Sequence, residues 1–493
     1  MTPVAGHPLP LPALILPKGS EALLVLLKRI YRIFFPRRRQ EKEPRQDSPS
    51  QKAAYPYALA TFLFLGFQGI LATAGSLHLV FPDLPAPLTF ASGRAMHLNL
   101  SIFWPLLGAM GGAYYFLVEA TGRELYSIRL AGWGFWYLVG TGLAILGFLA
   151  FGKTDGREYL EAPFFLKIAL LNGLLAFAFN LLATAIKNRV LVQPEVVVIL
   201  SGALLSPLLY LPTIFFVGHP TVDDVFRFLV VHLWEEGSLE LIATTIGAAL
   251  LAALKVAGRQ KVKRLLLWEA GLVLTSGFIA TGHHYYWIGT PDFWKLIGGV
   301  ASGLQVVPIV ILALTAWQGM ANRPRNFTPN LALYFFYASV FWNVVGAGLL
   351  GFLLAIPPFN RYAHGTYFTS AHAHMALFGF FGFLVLASSY YILTRRRELS
   401  PTHSKRIKLS LVLLNTGLAL MAACLVIAGF LQTYLWRGLG MDFTQVHLLL
   451  TPYLLLRAGG GAIFAAGGFL LAWEMVSLIL KPWLALLQPA GEP

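Results

Sequence analysis

Long apolar runs separated by short polar segments dominate the sequence between about residue 55 and residue 480. Each run is long enough to cross about 30 Å of hydrocarbon as a helix of about 20 residues. The pattern predicts an all-α integral membrane protein with twelve transmembrane helices over 55–480, an N-terminal tail over 1–54 and a short C-terminal tail over 481–493. The predicted spans are 57–80, 94–118, 130–151, 163–186, 193–217, 225–254, 266–289, 293–317, 330–356, 366–393, 407–435 and 443–478.

The composition supports this class of protein. Of the 493 residues, 57% are hydrophobic and 12% are charged, whereas soluble domains usually have about a quarter charged residues. The net charge of +15 comes mostly from short basic segments between apolar runs, which indicates membrane orientation and not nucleic-acid binding. The positive-inside rule then predicts that both termini are cytoplasmic. The basic clusters lie in the N-terminal tail, at Lys187 and Arg189, over 255–264, at Arg323 and Arg325, and over 395–408.

The N-terminal tail does not resemble a secretory signal, because its first seventeen residues contain no lysine or arginine. Residues 23–35 mix apolar side chains with Lys28, Arg29 and Arg32, which predicts either a basic amphipathic helix on the membrane surface or an unstructured basic tail. Residues 36–52 are polar and are predicted to be a linker. Cys424 is the only cysteine, so covalent haem attachment through CxxCH is excluded, and any haem must be held by histidine or methionine.

Four of the apolar runs contain histidine motifs, and an ionisable or metal-binding side chain in hydrocarbon indicates function. The motifs are RAMHLNL, VVHLWEEG, TGHHYYWIG and AHAHMALFG. With the predicted orientation, all six motif histidines fall in the outer half of the bilayer at comparable depth. We therefore expect them to converge on one set of metals. They are His97, His232, His283, His284, His372 and His374.

His372 and His374 are two residues apart, so on a helix their side chains point about 200° apart. Each can therefore bind a different metal, on opposite faces of the helix. Histidine is a common axial haem ligand, and His97 is the candidate second ligand of a six-coordinate haem. The alternative is a pair of core histidines with satisfied hydrogen bonds.

His232, His283 and His284 together offer three nitrogen ligands, a set suited to iron, copper or zinc. Glu236 follows His232 by four residues and lies on the same helical face. Its carboxylate can add a hard oxygen ligand, which favours non-haem iron over copper. Glu240, one turn farther on, can tune the site or carry protons, or be a neutral buried acid.

The other acids and histidines give weaker signals. Glu235 points away from the face of His232 and is given no ligand role. His364 is either a contact for haem propionates or a polar loop residue. We expect interfacial packing for His78, His219 and His447, and solvated positions for His7 and His403.

In this order and in these spans, the motifs resemble those of the catalytic subunit of the cytochrome c-dependent respiratory nitric oxide reductases, in the haem–copper oxidase superfamily. The similarity runs from about 55 to about 480 and includes GREYLE. The resemblance implies a low-spin haem b on His97 and His374, and a high-spin haem b on His372 that faces a non-haem iron. It implies reduction of two nitric oxide molecules to nitrous oxide and water, as in denitrification, in the inner membrane of a prokaryote. The implied iron ligands are His232, His283, His284 and Glu236.

Three details qualify the resemblance. Oxygen-reducing relatives often carry HPEVY, whereas this chain has HLWEE from His232 and lacks both the proline and that tyrosine, which favours nitric oxide as substrate. Glu158 in GREYLE resembles a calcium ligand of the family, with a surface salt bridge as the alternative. Gln305 stands where cytochrome-fed members usually have a glutamate, and glutamine cannot titrate. A proton route that depends on that carboxylate is therefore in doubt.

The short N-terminal tail favours a partner, a small membrane-anchored cytochrome c subunit, as the electron donor. A quinol-fed nitric oxide reductase is one alternative. An oxygen-reducing cbb-type oxidase subunit is another, and it would hold copper where Glu236 suggests iron. A haem-binding transporter or sensor would not need the three-histidine set, and a secondary transporter would have its polar site at the midplane.

Overall fold

A computed structural model describes residues 46–84, 89–322 and 330–487, and over these ranges the regular structure is entirely helical. Twelve helices in the described ranges are long and apolar enough to cross a membrane, which confirms the predicted number. We label them α1 to α12. Their bounds are Pro49–Val80, Phe90–Thr121, Ile128–Ala150, Phe164–Lys187, Pro194–Ile214, Pro220–Ala253, Arg259–Tyr285, Phe293–Ala321, Leu331–Ala355, Tyr367–Thr394, Pro401–Gly438 and Phe443–Leu480.

The amphipathic helix predicted over 23–35 lies outside the described residues, as do Arg323 and Arg325. The last part of the predicted linker is described, and it packs against the bundle. α1 begins at Pro49, eight residues before the predicted span, and Ser48 caps the first turn by accepting from the Gln51 amide. Hydropathy alone missed this turn because it lies outside the apolar run.

Asp47 anchors this N-terminal turn. Its side chain is 1% exposed and accepts hydrogen bonds from the hydroxyl of Tyr55 at 2.7 Å and that of Tyr115 at 3.1 Å. The Nε of Arg396 lies 3.2 Å from the same carboxylate. Asp47 thus connects α1, α2 and the segment after α10.

Short polar side chains mark where the membrane helices start. Thr89, Ser127 and Ser400 each accept a hydrogen bond from the backbone amide three residues later, at 3.2, 3.0 and 3.1 Å. Such caps satisfy amides that the first helical turn leaves unpaired. α2 ends at Thr121 and is followed by Gly122 in the left-handed conformation, with φ 65°.

The two most buried helices carry the histidines predicted to bind haem. In the most apolar stretch of α2, 94% of the residues are buried inside the bundle, and in α10 the share is 83%, against 22% in α8. α2 contains His97, and α10 contains His372 and His374. These helices form the centre of the bundle, whereas most of α8 faces outward.

Glycines allow α11 and α12 to approach backbone to backbone. A Cβ atom on Gly417 would lie 2.4 Å from the Phe464 nitrogen, and one on Gly467 would lie 2.9 Å from the Leu414 nitrogen. Small residues at helix interfaces are the usual way in which membrane helices pack closely.

Five wide π-helical segments interrupt the α-helical geometry of the described chain. Single-turn π segments are frequent at functional sites, because they re-aim side chains and disturb the regular backbone ladder. Four of the five lie in α6, α7, α9 and α10, which form the candidate site described below. The segments are 234–239, 273–277, 343–350, 374–382 and 433–438.

We predict that Asp47→Ala destabilises the bundle, because it leaves a partly buried guanidinium and two hydroxyl groups without their acceptor. The expected loss is about 3 kcal/mol, seen as a lower melting temperature of the purified protein. Asp83→Ala removes an exposed carboxylate and should change stability by less than about 0.5 kcal/mol. Equal melting of the two variants would contradict the anchoring role.

Candidate functional site

Three histidines from α6 and α7 form a cluster with the dimensions of a metal site. One nitrogen atom from each of His232, His283 and His284 lies within 4.8 Å of the other two. The Nε2 of His284 and the Nδ1 of His232 are 3.2 Å apart. Three imidazoles on one metal, each about 2 Å from it, have nitrogens at most about 4 Å apart. The cluster therefore fits a metal ion with small side-chain adjustments.

Hydrogen bonds to neighbouring groups orient two of these rings. The Nε2 of His232 donates to the carbonyl oxygen of Gly277 at 2.9 Å, which leaves Nδ1 to face the cluster. The Nδ1 of His283 lies 2.7 Å from the hydroxyl of Ser302, which leaves its Nε2 free. Metal-binding histidines typically use the second nitrogen in this way, to fix tautomer and ring orientation.

Glu236 brings a carboxylate to the edge of the cluster. Its Oε1 lies 3.4 Å from the Nδ1 of His232, the nitrogen that faces the other imidazoles. Glu236 belongs to the π-helical segment 234–239 and still shares the face of His232. A Cβ on Gly277 would lie 3.1 Å from the Glu236 carbonyl oxygen and 3.5 Å from the Gln305 Nε2. Gln305 therefore borders the same region.

His97 and His374 face each other across the space between α2 and α10. Their ring centres are 6.0 Å apart and their planes differ by 28°. Two imidazoles on opposite sides of one metal, with metal–nitrogen bonds of about 2 Å, have ring centres about 6 Å apart. The Nδ1 of His374 donates to the Ser370 carbonyl at 2.7 Å, so Nε2 is its free nitrogen. The separation of the two rings matches that of two imidazole ligands on one metal.

His372 points to the opposite side of α10, as the two-residue spacing predicts. Its Nδ1 donates to the Gly346 carbonyl of α9 at 3.0 Å. A Cβ on Gly351 would lie 2.9 Å from its Cε1, so only glycine fits beside the ring. His372 is also close enough to His283 and Glu236 for their charges to interact. The free side of His372 thus belongs to the region of the three-histidine cluster.

Glu235 and Glu236 are adjacent in sequence and line different spaces. Glu235 lines a mainly apolar cavity of about 780 Å³ between helices α2 to α6, together with Tyr159, Tyr210 and Trp234. This agrees with the sequence argument that gave Glu235 no ligand role. Glu240 lies on the other side, where its charge interacts with that of Glu236.

The GREYLE loop between α3 and α4 holds two carboxylates in different environments. Glu158 is 44% exposed and forms an ion pair with Arg94. A surface salt bridge was the alternative to a calcium ligand at this position, and this ion pair agrees with it. Glu161 is buried and accepts from the Asn99 amide at 3.1 Å, and burial raises the pKa of its carboxyl group. A calcium ion at Glu158 stays a prediction.

His364 lies in the loop before α10. The backbone carbonyl oxygen of His364 accepts a hydrogen bond from the Arg437 guanidinium at 2.8 Å. Burial lowers the pKa of the His364 imidazole, and the positive charge of Arg437 lowers it further. The imidazole is half-buried, and its charge interacts with those of His283 and His284, although no hydrogen bond among the described residues joins it to either histidine group. The propionate contact therefore stays a prediction.

The expectation that His403 is solvated was wrong. His403 is 6% exposed, and its Nδ1 lies 3.2 Å from the Oε2 of Glu474 in α12. The other oxygen of Glu474 pairs with Arg406 at 2.8 Å. The surrounding basic residues resembled a loop, but α11 begins at Pro401, and its first turn packs against α12.

The chain is similar over most of its length to proteins of one family. The family described as "Cytochrome C and Quinol oxidase polypeptide I" matches residues 52–463. A nitric oxide reductase subunit of Stutzerimonas stutzeri is 32% identical over 443 residues, which cover 85% of this chain and 93% of that protein. The Cbb3-type cytochrome c oxidase subunit CcoN1 of the same organism is 24% identical, over 86% of this chain and 94% of that protein.

A solved structure supports the same fold. The cryo-EM structure of a haem–copper terminal oxidase dimer matches with a TM-score of 0.69 and 13% identity, covering 88% of this chain and 85% of that chain. The family match over most of the chain, with this architecture, agrees with the resemblance inferred from the histidine motifs. The chain belongs to the haem–copper oxidase family, as a multi-pass membrane protein and an oxidoreductase.

Proposed function

We propose that the chain is the catalytic subunit of a respiratory nitric oxide reductase, which reduces two nitric oxide molecules to nitrous oxide and water. The observation that carries this proposal is the carboxylate of Glu236, 3.4 Å from the cluster-facing nitrogen of His232. A hard oxygen ligand beside three imidazoles suits non-haem iron better than copper. The 32% identity to the nitric oxide reductase subunit of Stutzerimonas stutzeri supports the same choice.

The other histidines supply two haem positions in this proposal. His97 and His374 hold a low-spin haem b, and His372 holds a high-spin haem b on the opposite face of α10. Haems and iron held by these residues would pass on the two electrons from the donor and would keep the two nitrogen atoms close together for coupling. The Gly346 and Gly277 carbonyls fix the rings of His372 and His232, so that their metal-facing nitrogens point into one region.

The partners and orientation follow from the same proposal. Both termini are cytoplasmic in the inner membrane of a prokaryote, because the basic segments 187–189, 255–264 and 395–408 share one predicted side. A small membrane-anchored cytochrome c subunit is the proposed electron donor.

An oxygen-reducing cbb-type oxidase subunit is the second candidate, because CcoN1 of Stutzerimonas stutzeri is similar over nearly the same part of the chain. Metal analysis of the purified complex separates the two candidates. We expect two b-type haems and one non-haem iron per chain, with no copper, and nitrous oxide formation from nitric oxide. Stoichiometric copper with oxygen as the preferred substrate would favour the second candidate.

We predict that His374→Ala removes the low-spin haem and that His372→Ala removes the high-spin haem, because each loses a proposed axial ligand. Optical and electron paramagnetic resonance spectra of the purified variants measure the two haems separately. His219→Ala, at an exposed position, should keep both. Retention of both haems in the His374 or His372 variant would contradict the ligand assignment.

We also predict that Glu236→Ala lowers the non-haem iron content and the rate of nitric oxide reduction together. The loss of one of four proposed ligands should weaken iron binding by about 10- to 100-fold, the range known for groups that support a metal site. Glu235→Ala is the matched control, because that neighbouring carboxylate lines a different cavity. An unchanged iron content in Glu236→Ala would exclude Glu236 as a ligand.

A further inference from the structure

Gln68 in α1 is a buried amide that contacts His97, one of the two proposed ligands of the low-spin haem. The residue is 3% exposed. Its amide nitrogen, Nε2, lies 3.3 Å from the Nδ1 of His97 and donates to the backbone carbonyl oxygen of His97 at 3.4 Å. The Nδ1 of His97 therefore faces Gln68, and Nε2 is the nitrogen left for a metal between His97 and His374.

Trp104 in α2 fixes the direction of this amide. The indole is fully buried and donates its N–H to the Oε1 of Gln68. Because an indole nitrogen can only donate, the amide oxygen has to lie towards Trp104 and the amide nitrogen towards His97. The Trp104 ring is stacked on that of Phe378, with ring centres 6.4 Å apart and planes 12° apart. Trp104 and Phe378 thus hold Gln68 with its donor side towards His97.

The two proposed ligands of the low-spin haem are consequently supported in different ways. The Nδ1 of His374 donates to the Ser370 carbonyl oxygen at 2.7 Å, and such a bond makes a metal-binding imidazole a stronger electron donor. His97 must also carry its hydrogen on Nδ1 when Nε2 binds a metal. The group beside that nitrogen is the amide nitrogen of Gln68, which is a donor too. Among the residues that the structure describes, no hydrogen bond joins the Nδ1 of His97 to an oxygen atom.

We propose that Gln68, held by Trp104, is a positioning residue that withholds a hydrogen-bond acceptor from His97 and so raises the reduction potential of the low-spin haem. The inference rests on the proposed function, which puts this haem between His97 and His374. An axial imidazole without an acceptor donates less electron density to iron, which favours the ferrous state. The partly positive amide hydrogens of Gln68 act in the same direction, because ferric haem carries one more positive charge. A haem of higher potential accepts an electron more readily from its donor.

The test removes the indole N–H and keeps an aromatic ring in the same place. In Trp104→Phe nothing competes for the amide oxygen of Gln68, which can then turn and accept from the Nδ1 of His97. We expect the potential of the low-spin haem to fall by about 59 mV, equivalent to an about tenfold lower ratio of ferrous to ferric haem at a fixed potential. Spectroelectrochemical titration of the purified complex measures this shift, and the high-spin haem should not change. The electron paramagnetic resonance signal of the oxidised low-spin haem should shift too, since it responds to hydrogen bonding of the axial imidazoles.

Further variants separate the hydrogen bond from packing. In a Gln68→Leu background, Trp104→Phe should not change the potential, because no amide oxygen remains to turn towards His97. Gln68→Glu leaves Trp104 intact and offers one carboxylate oxygen to each donor, so it should lower the potential as well. Trp342→Phe in α9 is the matched control, and it should leave the potential of the low-spin haem unchanged. The indole of Trp342 donates to the amide oxygen of Asn415 at 3.0 Å, and no described hydrogen bond links that amide to a proposed ligand.

Different results separate failure of this inference from failure of the proposed function. An unchanged or higher potential in Trp104→Phe, or in Gln68→Glu if Trp104→Phe does not fold, would overturn the role of Gln68. An equal fall in potential with and without Gln68 would overturn it too, because packing would then be the cause. The proposed haem ligands and the nitric oxide chemistry would still stand in these cases. A wild-type complex without a low-spin haem would contradict the proposed function itself.

Discussion

The site depends on hydrogen bonds from imidazoles inside the bundle to backbone carbonyl groups of glycine. His232 donates to Gly277 and His372 donates to Gly346, at 2.9 and 3.0 Å. Both carbonyls belong to π-helical segments, in which the regular pairing of amides and carbonyls is disturbed. In hydrocarbon, water cannot satisfy such a carbonyl, so an imidazole N–H is a favourable partner. The irregular backbone and the orientation of the histidines therefore stabilise each other.

This coupling explains why glycine occupies both acceptor positions. A Cβ on Gly346 would lie 2.2 Å from the Cβ of Met375 in α10, and one on Gly277 would approach the backbone of Glu236 in α6. The helices that carry the donors must come very close to the helices that carry the acceptors. Glycine makes this approach possible, and the histidine then bridges the two helices. Substitutions at these glycines would act on the site through the backbone, without removing any proposed ligand.

Hydropathy and motif spacing predicted the bundle and the two histidine groups, because both depend on local sequence. The hydrocarbon thickness fixes the length of an apolar run, and the two-residue spacing fixes the opposite directions of His372 and His374. The sequence did not predict the π-helical segments, since they result from contacts between distant helices. The end of the predicted linker, which holds Asp47, and His403 were misjudged for the same reason. Their partners, Arg396 and Glu474, lie far away in the chain.

The acidic residues of α6 show how the same local pattern can have different chemical roles. Glu235 and Glu236 follow each other in sequence, yet one lines a mainly apolar cavity and the other contacts His232. The wide turn at 234–239 sets the direction of the side chains after His232, and among them that of Glu240, whose charge interacts with that of Glu236. In a regular α-helix, the side chain of Glu240 would point in a slightly different direction. The backbone irregularity therefore affects both Glu236, at the edge of the histidine cluster, and Glu240, which follows it in α6.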